Sequence, residues 1–148
     1  MKMRHAGFLT ADLKKSKEFY TKILGFKVLK EKHSANMYIQ KLLGVKGLEL
    51  TYVKFCIPPD TAPVFELHHW TDTDIVYGLK NPYTAHMALT VENLKEFYLK
   101  NSSKIKFISA PLKSPENKNI LVCFIADPDG NLIELCEEVK EKKREIKV

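Results

Sequence analysis

The chain has 148 residues, 45% of them hydrophobic and 28% charged, which is typical of one ordinary soluble domain or of two small modules sharing a core. This length can bury a sizeable interior without disulfide bonds, and no apolar run reaches membrane-spanning length. The net charge of +6 lies largely on predicted helix faces and in a tail of mixed charge, without interleaved aromatic residues. We therefore expect neither a nucleic acid nor a membrane as a partner.

The three cysteines, Cys56, Cys123 and Cys136, are odd in number and lack the C-x-x-C spacing of metal-binding pairs. Free thiols of this kind are typical of a reducing compartment. The first residues lead straight into a predicted strand, with no apolar signal-peptide core. The sequence thus predicts a cytoplasmic protein.

The first half of the chain predicts four strands, at residues 2–10, 26–31, 47–57 and 63–70. A helix is predicted between the first two strands, because Asp12 is a good N-cap, apolar residues follow at helical spacing, and Gly25 is suited to end it. A short second helix is predicted at residues 35–43. The Asp-, Gly- and Asn-containing stretch 71–82 has the character of a linker.

The pattern restarts after the linker, with strands predicted at residues 83–91, 105–109, 120–126 and 132–136. Asn93 is the predicted N-cap of a shorter helix, and residues 111–119 read as a loop. The last two strands are joined by Asp127-Pro-Asp-Gly130, whose residue types favour a tight turn.

The two halves repeat each other in spacing. His5 precedes Asp12 by seven residues, and His86 precedes Asn93 by seven. Lys17-Glu-Phe-Tyr20 recurs as Lys95-Glu-Phe-Tyr98, with a shift that a helix three residues shorter explains.

The repeat also sets the fold class. Phe65-Glu66-Leu67 and Ile133-Glu134-Leu135 close the two halves, so each half reads as β-α-β-β-β. We predict an α+β protein with a first βαβββ module at 1–70, a linker at 71–82, a second βαβββ module at 83–136 and a charged tail at 137–148.

Four side chains at the repeated positions carry chemistry: His5, Glu66, His86 and Glu134. A carboxylate within an apolar strand is costly unless it is paired or bound to a cation. A duplicated module brings equivalent positions together, and two imidazoles with two carboxylates suit Ni, Co, Zn, Mn or Fe. Taken singly, each residue has a plainer interpretation, a structural histidine or a solvent-facing glutamate. Their repetition favours a divalent metal site.

His68 lies on the same strand face as Glu66, because side chains two residues apart in a strand point the same way. It is therefore an alternative ligand, a partner of Glu66 or a contact for substrate. Cys136 shares the face of Glu134 by the same rule and is a candidate lining residue.

These motifs resemble the vicinal oxygen chelate superfamily, the glyoxalase/bleomycin resistance/dioxygenase group. The resemblance covers nearly the whole chain except its tail, and it lies in His5-Ala-Gly-Phe-Leu-Thr-Ala-Asp-Leu13, Phe19-Tyr20, Leu24-Gly25-Phe26, Phe65-Glu66-Leu67, His86 and Asp127-Pro-Asp-Gly-Asn-Leu-Ile-Glu134. It implies two βαβββ modules that form an open, cup-like barrel around a metal, and a homodimer.

The resemblance also implies a reaction. A His-Glu-His-Glu set is similar to that of the glyoxalase I branch, which favours a metal-dependent lyase or isomerase that acts on a small carbonyl compound through a metal-stabilised enediolate. Glu134 would be the general base and Glu66 its counterpart. A small-molecule-sequestering protein of the bleomycin-resistance type and an extradiol-type dioxygenase remain the alternatives.

The substrate is less well defined by this resemblance. Glyoxalase I has an Arg four residues after its first histidine and an Asn four residues after its first metal-binding glutamate, and Leu9 and Trp70 stand at those positions here. Neither can supply a charge for the carboxylates of glutathione. Leu9, Trp70 and Phe124, with His68, are therefore the candidate substrate contacts; the three apolar ones would suit a more apolar molecule or simply pack the core.

Overall fold

A computed structural model describes residues 4–38, 40, 46–71, 86–115 and 117–139. The chain divides into two compact units, Met1–Thr84 with Asp127–Asn131, and Ala85–Ala126 with Leu132–Val148. Residues 72–82 of the predicted linker, residues 39 and 41–43 of the predicted helix at 35–43 and the tail beyond residue 139 lie outside the described residues.

The first unit contains a four-stranded mixed sheet in the order β1-β4-β3-β2. Strand β1 runs parallel to β4, whereas β3 is antiparallel to both of its neighbours. The strands are β1 (Ala6–Leu9), β2 (Lys27–Ser34), β3 (Glu49–Cys56) and β4 (Phe65–Thr71).

The second unit repeats this order as β5-β9-β8-β6, with β7 also pairing with β8. Strand β5 is parallel to β9, as β1 is to β4, so the α+β prediction of two βαβββ modules is confirmed. The prediction of a loop throughout 111–119 was wrong, because β7 lies within it. The strands are β5 (His86–Thr90), β6 (Lys106–Phe107), β7 (Leu112–Lys113), β8 (Ile120–Ala126) and β9 (Leu132–Glu138).

Two helices within the described residues begin at the predicted caps. Helix α1 (Leu13–Glu18) starts after Asp12, whose side chain accepts from the backbone N–H of Lys15 at 3.0 Å, and it continues as a π-helical segment, Phe19–Ile23. Helix α2 (Leu94–Asn101) starts after Asn93, which caps Glu96 in the same way. The first helical stretch has eleven residues against eight in the second, which matches the three-residue shift between the halves.

Each sheet separates a core face from a second face. In the first unit, Phe65 and Leu67 on β4 are fully buried, and Phe65 packs 4.6 Å from the ring of Tyr20 in the π-helical segment. Alternation along β4 places Glu66 and His68 on the opposite face. In the second unit, the buried Ile133 likewise alternates with Glu134 on β9.

The turn between β8 and β9 belongs to the first unit, where its aspartates accept buried hydrogen bonds. Asp127 Oδ2 accepts from the hydroxyl of Tyr20 at 2.9 Å and from the side-chain amide of Asn131 at 2.9 Å. Burial raises the pKa of the Asp127 carboxyl. Burial and the nearby Asp127 carboxylate together raise the pKa of Tyr20, so its hydroxyl remains a donor.

The second aspartate of the turn holds the entrance to helix α1. Asp129 accepts from the hydroxyls of Thr10 and Ser16 at 2.6 and 2.7 Å and from the backbone N–H of Ala11 at 2.9 Å. Thr10 and Ser16 are fully buried, so these bonds satisfy hydroxyl groups that water does not reach. The turn is thereby fixed between strand β1 and helix α1.

None of the helices described here has both the length and the apolar character needed to cross a lipid bilayer.

We predict that Tyr20→Phe lowers the free energy of unfolding by about 1–2 kcal/mol, because it removes a buried donor from Asp127 while leaving the aromatic packing intact. The matched control is Tyr98→Phe, since Tyr98 stands at the repeated position and packs its ring against Phe107 at 4.8 Å. Urea denaturation measures both variants. Equal effects of the two substitutions would contradict the assignment of the Tyr20 hydroxyl to this turn.

Candidate functional site

The first histidine–glutamate pair lies in the first unit. His5 immediately precedes β1, and its Nε2 is 3.5 Å from Oε1 of Glu66 on β4. The parallel pairing of the two strands, with Gly7 opposite Glu66, brings these residues together although 61 positions separate them in the chain.

Glu66 is buried among positively charged or chargeable groups. Lys54 Nζ on β3 lies 2.7 Å from Oε1, and His68 Nε2 lies 3.0 Å from Oε2. The lysine contact is a close ion pair, so Oε1 has a charged donor beside it. Burial by itself would raise the pKa of this carboxyl, but Lys54, His68 and His5 together hold the pKa below its usual value.

The second pair lies in the second unit. His86 Nε2 at the start of β5 is 3.0 Å from Oε2 of Glu134 on β9. The thiol of Cys136 donates to Oε1 of Glu134 at 3.4 Å. Burial, with the adjacent carboxylate of Glu134, raises the pKa of Cys136 to about 11, which keeps the thiol protonated at neutral pH.

The two glutamates occupy equivalent places with different neighbours. Lys54 is the cross-strand partner of Glu66, and Phe124 is the cross-strand partner of Glu134. The ring of Phe124 meets the ring of His86 edge-on at 5.4 Å between centroids. One carboxylate therefore faces an ammonium group, whereas the other faces an aromatic ring.

The remaining predicted contacts divide between these two faces. Leu9 pairs with His68 across β1 and β4, and Trp70 lies two residues beyond His68, so all three share the strand face of Glu66. Phe124 lies on the face of Glu134. Their role as substrate contacts stays a prediction.

Lys54 is a member of this cluster that sequence reasoning missed. The alternation of β3 shows which face a residue takes, but not which residue of β4 it meets. That register depends on the turn between Cys56 and Phe65, and the repeat offers no guide because the equivalent residue is Phe124.

The donor atoms fit a divalent cation. Each pair offers one imidazole nitrogen and carboxylate oxygens, ligands suited to first-row transition metals. Oε1 of Glu66 is a buried oxygen that already has the ammonium group of Lys54 2.7 Å away, so a metal ion at this pair would compete with that lysine. Within the described parts of the chain, no three or more His, Cys, Asp or Glu side chains gather in a metal-binding arrangement.

Comparison with known proteins places this geometry in a family. The model of the Glyoxalase/Bleomycin resistance protein/Dioxygenase superfamily matches residues 2–135. The chain belongs to this superfamily. Its sequence is 32% identical over 141 residues to the lactoylglutathione lyase of Escherichia coli O157:H7, with 93% of each chain covered. It is 28% identical over 146 residues to a probable lactoylglutathione lyase of Synechocystis, covering 96% of this chain and 99% of the relative.

Solved structures of the superfamily share the fold. A glyoxalase family protein from Bacillus cereus superimposes with a TM-score of 0.77 at 15% identity, covering 95% of each chain. The trypanothione-dependent glyoxalase I of Leishmania major gives a TM-score of 0.61 at 24% identity, covering 93% of this chain and 87% of the other. The predicted glyoxalase-type fold is therefore confirmed.

We predict that Lys54→Met lowers the free energy of unfolding by about 2 kcal/mol in metal-free buffer, because Glu66 stays buried without its ammonium partner. The value is at the low end for a buried pair, since the Lys54 side chain is 31% exposed. A double-mutant cycle with Glu66→Gln, followed by urea denaturation, should give a coupling energy above about 1 kcal/mol.

The matched control for this cycle is the exposed pair Lys22–Glu18 on the helical segment, whose atoms lie 3.2 Å apart. Its coupling energy should be about 0.3–0.5 kcal/mol. A Lys54–Glu66 coupling no larger than that of the control would show that the ion pair does not stabilise the sheet.

Proposed function

We propose that the chain is a metal-dependent lyase or isomerase of glyoxalase I type that rearranges a small carbonyl compound, such as a hemithioacetal. The observation that carries this proposal is the duplicated histidine–glutamate contact, His5 with Glu66 and His86 with Glu134. The proposal is also supported by the similarity to a lactoylglutathione lyase, in an alignment that covers 93% of both chains.

In this proposal the four residues are ligands of a catalytic cation, which is Ni, Co, Zn, Mn or Fe. When bound, the cation supplies positive charge to the substrate oxygens on which negative charge develops. The two carboxylates balance the charge of the ion, and the imidazoles add neutral ligands.

Glu134 is the proposed general base. Its described neighbours are the imidazole of His86, the protonated thiol of Cys136 and the ring of Phe124, so no ammonium group competes there for its carboxylate. A carboxylate in such surroundings can accept a proton from a carbon next to a carbonyl group. Glu66, the counterpart, is held in place by Lys54 and is suited to positioning.

One observation favours a second function, the sequestration of a small molecule without a metal. The ammonium group of Lys54 already neutralises Glu66 at 2.7 Å, so the first pair can be stable without a cation. The metal content of the protein separates this function from the enzyme.

We predict about one transition-metal ion per chain in protein purified without a histidine tag, as measured by elemental analysis. Glu134→Ala should lose the metal because it removes a ligand, whereas Glu138→Ala should keep it because Glu138 lies at the exposed end of the same strand. A folded, metal-free wild-type protein would support the sequestering function and refute the enzyme.

We predict that Glu134→Gln lowers kcat/KM for hemithioacetal isomerisation by about 10²–10⁴-fold, the range expected for loss of a general base. Glu138→Gln is the control for the charge change. The assay uses methylglyoxal with several thiols in metal-supplemented buffer, alongside catechols with iron and oxygen. Cleavage of a catechol without isomerisation of the hemithioacetal would show that the chain catalyses the dioxygenase reaction instead.

We further propose a cytoplasmic homodimer. The three cysteines are free thiols, as expected for a reducing compartment. Light scattering of the purified protein should give about twice the 17.0 kDa of one chain; a monomer would refute the assembly.

A further inference from the structure

The face of the first sheet that carries Glu66 also carries four lysines, one of which, Lys27, pairs with Cys56 at the end of β3. Lys30 on β2 pairs directly with Lys54 on β3, and Lys32 pairs with Tyr52. Directly paired residues project from the same side of a sheet, so these lysines share one face. Glu66 is the partner of Lys54 on its other side.

Glu66 is the only acidic strand residue on this face among the described strands of the first sheet. Glu31 pairs with the buried Val53 on the core side, and its carboxylate contacts Lys17 of helix α1 at 2.7 Å. Glu49 alternates onto that same core side and lies 3.7 Å from His33. On the described strands, Glu66 is therefore the one carboxylate that shares this face with the lysines.

That carboxylate cannot serve a metal and Lys54 equally. If Glu66 binds a divalent cation, the ammonium group of Lys54 loses its carboxylate partner and is repelled by the ion. Lys54 Nζ already lies 5.5 Å from the ring centre of Tyr52, which keeps it above this face. Lys54 and Lys30 would then be like charges at directly paired positions, which is unfavourable unless an anion joins them.

We propose that Lys54, assisted by Lys30 and Lys32, binds a carboxylate group of the substrate and becomes available for it when Glu66 binds the metal. This inference rests on the proposed function and assigns it a substrate class, a carboxylate-bearing carbonyl compound or thiol adduct. Leu9 and Trp70 cannot supply a positive charge for a substrate carboxylate, so the lysines of β2 and β3 supply it instead. Lys54 thereby exchanges the carboxylate of Glu66 for a carboxylate of the substrate.

The first test needs neither metal nor turnover. Glu66→Gln releases Lys54 without a cation, so metal-free Glu66→Gln should bind S-methylglutathione about tenfold more tightly than metal-free wild-type protein in calorimetry. The diamide of the same compound, which lacks both carboxylates, should show no such gain. Adding Lys54→Met should abolish the gain, whereas adding Lys106→Met, an exposed lysine on β6, should preserve it.

The same result would stand even if the proposed reaction failed, because it measures the carboxylate preference of the face alone. The inference is overturned if Glu66→Gln binds the acid and the diamide equally. It is also overturned if the variant containing Lys54→Met retains the gain.

The second test examines the exchange itself. Lys54→Met should bind Ni²⁺ alone about tenfold more tightly than the wild type, because a competing and repelling charge is absent. In metal-saturated enzyme it should raise KM about tenfold for the hemithioacetal of N-acetylcysteine but not for that of its amide, with kcat little changed. Unchanged Ni²⁺ affinity, or equal KM changes for both substrates, would contradict the proposed exchange.

Discussion

The need to compensate a buried carboxylate governs the first unit. Glu66 stands in the middle of a strand whose neighbours Phe65 and Leu67 are fully buried, where an unpaired charge would cost several kcal/mol. The fold supplies partners from both adjacent strands, the imidazole of His5 from the β1 side and the ammonium group of Lys54 from β3. The same residues that make the carboxylate tolerable decide what else can bind it, so stability and chemistry are linked at this position.

The two halves share one strand order but differ in the residues that surround their glutamates. Both sheets place a glutamate beside a histidine with the same strand order. The residue across from the glutamate is Lys54 in one half and Phe124 in the other. One carboxylate contacts an ammonium group, whereas the described neighbours of the other are an imidazole, a thiol and an aromatic ring. Equivalent positions in the two halves thus carry carboxylates with different surroundings, which suits the proposed reaction, in which one acidic group moves a proton and the other does not.

Much of this arrangement could be predicted from local signals. Repeated spacing from His5 to Asp12 and from His86 to Asn93 located both helix caps and both histidines, because capping and strand alternation depend on nearby residues. Lys54 could not be found in this way, since strand register is set by the connecting turn and by packing. The π-helical segment and β7 were missed for a similar reason: neither has a strong local signature in this sequence.

The turn at Asp127–Asn131 makes the first unit discontinuous in the chain. Its aspartates complete the hydrogen bonding of buried hydroxyls on Tyr20, Thr10 and Ser16, which come more than a hundred residues earlier. A ribosome must therefore synthesise most of the protein before the first half can close its own interior. The first half alone, cut at the repeat boundary, would lack the carboxylate acceptors of these three buried hydroxyls.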